Sequence, residues 1–207
     1  MEVKLPIFVK KILTTFEKKG YEIYIVGGVV RDLIINRPGV DWDFTTNAKP
    51  EIILSLFSDA FYDNQFGTVG LANPKEKKKK TYYGKPPIYE ITTFRKEVGY
   101  KDRRHPDKIV WGKTLEEDLS RRDFTINAIA FDGKKLIDPY KGQKDIKKKL
   151  IKSVGDPKKR FFEDALRLLR AIRIATQLSF LIEEKTFSEE AFMDSLDFEA
   201  EVDDLPI

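Results

Sequence analysis

The stretch from Tyr24 to Thr46, YIVGGVVRDLIINRPGVDWDFTT, decides how this chain is read. Apolar Tyr24, Ile25 and Val26 predict a strand ending in Gly27-Gly28. A short amphipathic run with Arg31-Asp32 follows, then a turn at Pro38-Gly39, then Asp41-Trp42-Asp43 at the entry to a second strand. Residues two apart on a strand point to the same side, so Asp41 and Asp43 present their carboxylates together while Trp42 faces the packing. Two carboxylates that close repel unless a cation lies between them. The chain has no cysteine and a single histidine, which argues against zinc. Mg²⁺ takes one or two carboxylates together with phosphate oxygens, so Asp41 and Asp43 are its expected ligands. Gly27 and Gly28 allow close backbone approach, a helix starting there favours an anion, and Arg31 follows about one turn on with a guanidinium suited to phosphate. The order predicts a phosphate site facing a metal site.

Working outward, 207 residues with 41% apolar composition suffice for one large domain or two small ones. No stretch has the apolar length to span a bilayer and the N-terminus lacks the form of a secretory signal, so a soluble cytoplasmic protein without a membrane partner is expected. No GxGxxG follows a strand, which sets hydride-transfer enzymes aside. The net charge of +4 hides an asymmetry: residues 1–182 hold 37 bases against 24 acids, a surplus of +13, and the rest is acidic. Such a surplus suits a nucleic-acid or polyphosphate binder, and equally a lysine-rich surface adapted for solubility.

A run with Phe8, Ile12, Leu13 and Phe16 at helical spacing predicts an N-terminal helix from Pro6 to Gly20. Asn47 is expected to cap a helix from Pro50 to Phe57. Phe61 to Gln65, Phe66 to Val69 and Ile88 to Arg95 read as strands, which gives an α/β (α+β) head with a mixed sheet flanked by helices. Lys75 to Lys80, KEKKKK, reads as a solvated hairpin tip, with nonspecific contact to an RNA backbone as the alternative. Glu90 alternates with apolar Tyr89 and Ile91; a carboxylate there awaits a cation or a partner, unless it lies on an edge strand facing water. Arg95 ends that strand and faces either phosphate or solvent. Lys96 to Trp111 is polar and turn-rich and contains His105, to which no acid or base role is given.

Two later blocks carry further candidates. In Asp118 to Asp132, Arg121-Arg122-Asp123 sets two guanidiniums and a carboxylate beside an apolar turn, which suits a triphosphate and a ribose hydroxyl, or a basic surface turn in which Asp123 caps a helix. Lys144 to Leu150 reads as a basic helix. In Asp156 to Phe180, Asp164, Arg167, Arg170 and Arg173 recur every third residue and, each such step on an α-helix falling back about 60°, form a slanting stripe opposite Leu166, Leu169 and Ile172. Charged stripes of this kind are usually solvated faces.

Together, Gly27-Gly28 with Val30-Arg31-Asp32, then Asp41-x-Asp43, resemble the nucleotidyltransferases of the DNA polymerase beta superfamily. Within it they resemble the class II branch of CCA-adding tRNA nucleotidyltransferases and bacterial poly(A) polymerases. Three blocks in the expected order extend the resemblance over roughly Tyr21 to Phe180. It implies a polymerase-beta-like head over residues 1–138, a helical neck over 139–182 with a nucleotide-selecting helix, and an acidic segment over 183–207. It implies two-metal transfer from CTP or ATP to the 3′ end of tRNA or another RNA, with Mg²⁺ on Asp41 and Asp43 and with Glu90 as a third carboxylate. Gly27, Gly28, Arg31 and Arg122 would hold the triphosphate, Asp123 the ribose, with Asn127 in support. Asp164 and Arg167 would read the edge of the base, a property C and A share, beside Arg170 and Arg173. Lys96 to Trp111 would be the loop that helps terminal A addition. Full-length relatives continue into helical body and tail domains, whereas Phe180 is soon followed by an acidic segment; a shortened form, or an RNA grip from a partner or homodimer, is expected. A poly(A) polymerase, an A-only or CC-only enzyme, and a noncatalytic RNA- or nucleotide-binding remnant remain as alternatives.

Overall fold

A computed structural model describes residues 4–39, 41–64, 67–73, 87–100 and 108–188. Lys75 to Lys80, His105 and residues 189–207 lie outside the described residues. Pro6 precedes α1 (Ile7–Lys18), and Val9, Ile12 and Phe16 recur on its buried face, as the spacing predicts. β1 (Ile23–Val26) leads through Gly27 into α2 (Gly28–Ile34) and then β2 (Trp42–Thr46). α3 (Pro50–Leu56) precedes β3 (Ala60–Asn64) and β4 (Thr68–Ala72); β5 is Ile88–Thr93.

These strands, with β8 (Ala130–Phe131) and β9 (Leu136–Ile137), form one seven-stranded sheet in the order β3-β4-β5-β2-β1-β8-β9. Only β2 and β5 pair in parallel, so the sheet is mixed, as expected. The alternation of Trp42, Phe44 and Tyr89, Ile91 puts one face against α1, where Phe8 meets Tyr89 edge-on at 4.9 Å. The other face, carrying Asp43 and Glu90, is left for chemistry.

Several local expectations are corrected. Asn47 does not cap α3: its Oδ1 accepts from Glu22 N at 2.9 Å, and Pro50 opens the helix after Lys49 with no side-chain cap. The strand expected to run to Arg95 ends at Thr93. Phe94, fully buried beside Val26, Leu115 and Leu119, turns the chain, and β6 (Arg95–Val98) pairs instead with β7 (Lys108–Trp111). α4 (Leu115–Ser120) follows, its Thr114 Oγ1 accepting from Glu117 N. The basic helix α5 is Gly142–Lys147; Leu150 leaves it to join β10 (Leu150–Ile151) with β11 (Leu181–Ile182).

The largest correction concerns the charged stripe. One continuous helix does not carry it: α6 (Pro157–Glu163) and α7 (Leu166–Leu178) are separated at Asp164-Ala165, where Asp164 is extended and its Oδ1 accepts from Leu166 N at 3.0 Å. Asp164 therefore shares no helical face with Arg167, Arg170 and Arg173. The apolar side of the expected stripe is also not the buried one, although Arg170 and Arg173 stay exposed as expected. Leu168, Ala171 and Ile174 are buried together with Arg167, while Phe162, Leu166, Leu169 and Ile172 are exposed. Ile146, Phe161, Leu168 and Ile174 belong to the same core cluster as the sheet, so no break in packing falls at residue 138.

Candidate functional site

The register of the sheet builds the site. Val26 of β1 pairs with Asp43, Asp43 with Glu90 of β5, and Glu90 with Gly70 of β4. Partners in register on neighbouring strands lie about 4.8 Å apart and point to the same face, so the Asp43 and Glu90 carboxylates are neighbours. Burial, then the charges of Glu90 and Asp41, push the Asp43 carboxyl up to about 6, with Arg122 partly opposing them. Asp41 lies exposed at the bend before β2. Like charges gathered on a partly buried face are what a cation would relieve.

Gly27 closes the site from the β1 side. Its φ is +77°, which favours glycine, and a Cβ there would lie 3.1 Å from Asp43 Oδ2 and 3.6 Å from Arg122 Nη1. Asp43, Arg122 and the start of α2 thus converge on one point. Arg122 is aimed by Asp118, a residue the sequence reading passed over. Fully buried Asp118 accepts from Arg122 Nη2 at 3.0 Å through Oδ2 and from Arg121 Nη2 at 2.8 Å through Oδ1. Burial raises the Asp118 carboxyl, but the two guanidiniums outweigh it and hold the group well below the usual carboxylate range. Arg122 Nε is buried without a hydrogen-bond partner among the described residues. The cleft, of about 300 Å³, is lined by Asp43, Glu90, Thr68, Thr92, Arg95 and the Arg121-Arg122 pair.

A second network lies behind it. Arg31 donates through Nε and Nη2 to Asp32 Oδ1 at 2.9 and 2.8 Å, and through Nη1 to Asn127 Oδ1 at 2.8 Å. Asn127 Nδ2 donates to Asp123 Oδ1 at 3.2 Å, and Asp123 Oδ2 accepts from Arg170 Nε and Nη2 at 2.9 and 2.7 Å. Burial raises the Asp123 carboxyl, yet Arg170 and its other donors bring it below its ordinary value. Gly28 packs over Arg31, so the Gly27-Gly28 corner is tied through Asn127 and Asp123 to α7.

Arg167 is committed elsewhere. Its Nη1 donates to Arg160 O and Glu163 Oε2, both at 3.1 Å, its Nη2 to Arg121 O at 3.2 Å, and its Nε lies 3.9 Å from Asp164 Oδ2. It clamps the α6–α7 junction onto the turn that carries Arg122. Arg173 is exposed and is not drawn into these networks.

Among the described residues no three carboxylate or imidazole side chains cluster tightly enough to cage a metal alone. Asp43 and Glu90 nonetheless offer two hard oxygen donors, which fits Mg²⁺ bound together with phosphate oxygens.

The poly A polymerase head domain family matches residues 23–152. The chain belongs to that family. It is 46% identical over 197 residues to a CCA-adding enzyme of Lactobacillus helveticus, covering 93% of this chain and 46% of that protein. It is 46% identical over 177 residues to one of Geobacillus sp., covering 84% and 41%. Among solved structures, the Bacillus stearothermophilus CCA-adding enzyme in complex with CTP superposes with a TM-score of 0.73 at 35% identity, over 90% of this chain and 43% of that one. A tRNA nucleotidyltransferase complexed with a primer tRNA and an incoming ATP analog gives 0.66 at 29%, over 89% and 49%. The chain spans about half the length of the curated relatives it matches. No helix among the described residues of this head-domain protein is long and apolar enough to cross a membrane.

Besides Asp118, Glu163 is given no part by the sequence, and Asp32 is read there only as part of the motif and not as the partner of Arg31. The spacing of Asp118 to Arg121 and Arg122, three and four residues on, was the available signal, because such pairs meet at a helix end.

Proposed function

We propose that this chain catalyses CCA addition: transfer of CMP and AMP from CTP and ATP to the 3′ end of tRNA. The observation that carries the reading is the pair Asp43 and Glu90, in register on one face, beside Gly27 and Arg122. The RNA 3′-hydroxyl attacks the α-phosphate, the new bond joins the 3′-oxygen to that phosphorus, pyrophosphate leaves, and the hydroxyl proton passes to solvent. Asp41 and Asp43 would hold Mg²⁺, with Glu90 completing the shell; bound there, the metal lowers the pKa of the hydroxyl and neutralises the leaving group.

The remaining residues position the nucleotide. Gly27 and Gly28 let the triphosphate approach the backbone, and Arg31 and Arg122 pair with its oxygens. Both oxygens of Asp123 already accept hydrogen bonds, so Asp123 and Asn127 shape the ribose pocket by holding Arg31 and Arg170 around it. Asp164 reads the base edge from the α6–α7 junction, with Arg170 and Arg173 extending that wall, while Arg167, expected from sequence as its co-reader, holds the junction in place because its donors are engaged within the protein. Residues 1–138 are the transferase head and 139–182 the neck in this reading.

The test is incubation with Mg²⁺ and tRNA transcripts ending before CCA, after C and after CC, with CTP or ATP, against Asp41→Ala/Asp43→Ala. Discrete addition ending at A supports the reading; a long A ladder points to a poly(A) polymerase. Absence of incorporation, with ATP binding also absent, overturns it.

A further inference from the structure

The row that places the carboxylates continues beyond them. Glu90 pairs with Gly70, and Gly70 with Phe61 on the edge strand β3. All of these point to the cleft face. Gly70 leaves a gap in the row, and the Phe61 ring lies over it: a Cβ at Gly70 would meet Phe61 Cζ at 2.5 Å. Phe61 is 40% exposed, so an aromatic ring is offered to ligand from the strand two beyond Glu90. The next row on the same face is Thr45, Thr92 and Thr68. Thr68 Oγ1 and Thr92 Oγ1 share a hydrogen bond of 3.1 Å and line the cleft, while Thr45 Oγ1 is buried without a partner among the described residues. One bond between two hydroxyls uses one of their two protons and leaves acceptor lone pairs.

The proposed reaction assigns this side of the face. The leaving pyrophosphate lies towards Gly27 and Arg122, on the β1 side of Asp43. In-line displacement requires the attacking hydroxyl to enter from the opposite side, which is the side of Glu90, Gly70 and Phe61. We propose that Phe61, Gly70, Thr68 and Thr92 form the site for the terminal nucleoside of the RNA acceptor, with the base stacked on Phe61 and the 2′-hydroxyl of its ribose read by the Thr68–Thr92 pair. Gly70 makes room for the Phe61 ring to lie in the row, where a side chain would displace it, and the 3′-hydroxyl of the ribose faces Glu90. A hydroxyl that donates and accepts is matched by a pair that does both, whereas a deoxyribose would leave that pair without its partner. This rests on the nucleotidyltransferase reading and adds acceptor choice to it.

The experiment compares 5′-labelled RNA oligonucleotides ending in a ribose or a 2′-deoxyribose nucleotide. Binding to the full chain is read by fluorescence anisotropy, and addition is followed in parallel. Wild type is expected to bind and extend the ribose end about fivefold to tenfold better, the size of one neutral hydrogen bond. Thr92→Val keeps the shape and is expected to lose that preference. Phe61→Leu, which retains apolar packing but no ring, raises acceptor Kd about tenfold, and Phe61→Tyr restores it. An unchanged ribose preference in Thr92→Val together with an unchanged acceptor Kd in Phe61→Leu overturns the proposal. Absence of nucleotide addition by wild type, with these binding preferences intact, counts against the transferase reading instead.

Discussion

Asp43 and Glu90 stand opposite each other on parallel strands, so two carboxylates far apart in sequence share one partly buried face. Burial and Glu90 raise the Asp43 carboxyl from its ordinary 3.8 to about 6. A folded-state value above the unfolded one means that stability is fully present below about 3.8 and is lost as pH rises through about 6. Asp43→Asn should therefore raise the melting temperature of the metal-free protein at pH 8 and change it little at pH 4. Mg²⁺ at pH 8 should stabilise wild type but not the variant, while nucleotide addition falls at least about 100-fold. Identical melting curves at pH 8 would contradict this electrostatic account.

Gly27 is constrained twice, by its φ of +77° and by Asp43 Oδ2, which would stand 3.1 Å from a Cβ placed there. Gly20 has a φ of +78° and nothing within 4 Å of the same position. The two glycines separate backbone strain from crowding. Gly20→Ala and Gly27→Ala should each lose about 1 kcal/mol from strain, measured by urea unfolding. Only Gly27→Ala should also raise the KM for CTP. Equal nucleotide affinities in the two variants would remove crowding at Asp43 from the argument.

The strand, glycine and Asp-x-Asp order was legible in sequence because it depends on local periodicity, and the mixed sheet follows from it. What could not be read was anything decided by distant acceptors. Arg167 looked like one charge in an exposed stripe, but Arg121 O, Arg160 O and Glu163 take its protons and allow it to be buried. Once Arg167 turns inward, Leu166, Leu169 and Ile172 turn outward, the reverse of the amphipathic expectation. Glu90 was legible as an anomalous carboxylate in an apolar strand. Its pairing with Asp43 was not, since the register of parallel strands leaves no local mark. Asp123 read as either a helix cap or a ligand contact; its bonds to Arg170 and Asn127 depend on how α7 docks.

Asp118 should behave as the opposite of Asp43 under acid. Its folded-state value lies well below the ordinary 3.8, so its stabilisation is present above that value and is lost as pH falls towards the folded one. Asp118→Asn should destabilise the chain by about 3 kcal/mol between pH 5 and 8, because two partly buried guanidiniums lose their counterion. The gap to wild type should narrow below pH 4. Arg122 also loses its aim, so the KM for CTP should rise. Urea titrations giving a constant gap from pH 7 to pH 2 would argue against the ion pairs as its source.

Arg170 and Asp123 form a close ion pair at 2.7 Å, yet the Arg170 side chain is 46% exposed and that of Asp123 only 8%. Solvent screens the arginine end, so the coupling between them should be about 1 kcal/mol rather than the several expected of a fully buried pair. A double-mutant cycle with Asp123→Asn, Arg170→Ala and the double variant measures it by urea unfolding. Asp123→Asn should be the more costly single change, because its carboxylate also accepts from Phe124 N and Asn127 Nδ2. Through Asn127 the pair also holds Arg31, so both variants should raise the KM for CTP and ATP together. Additive unfolding energies with unchanged KM values would mean that α7 is positioned by its apolar face alone.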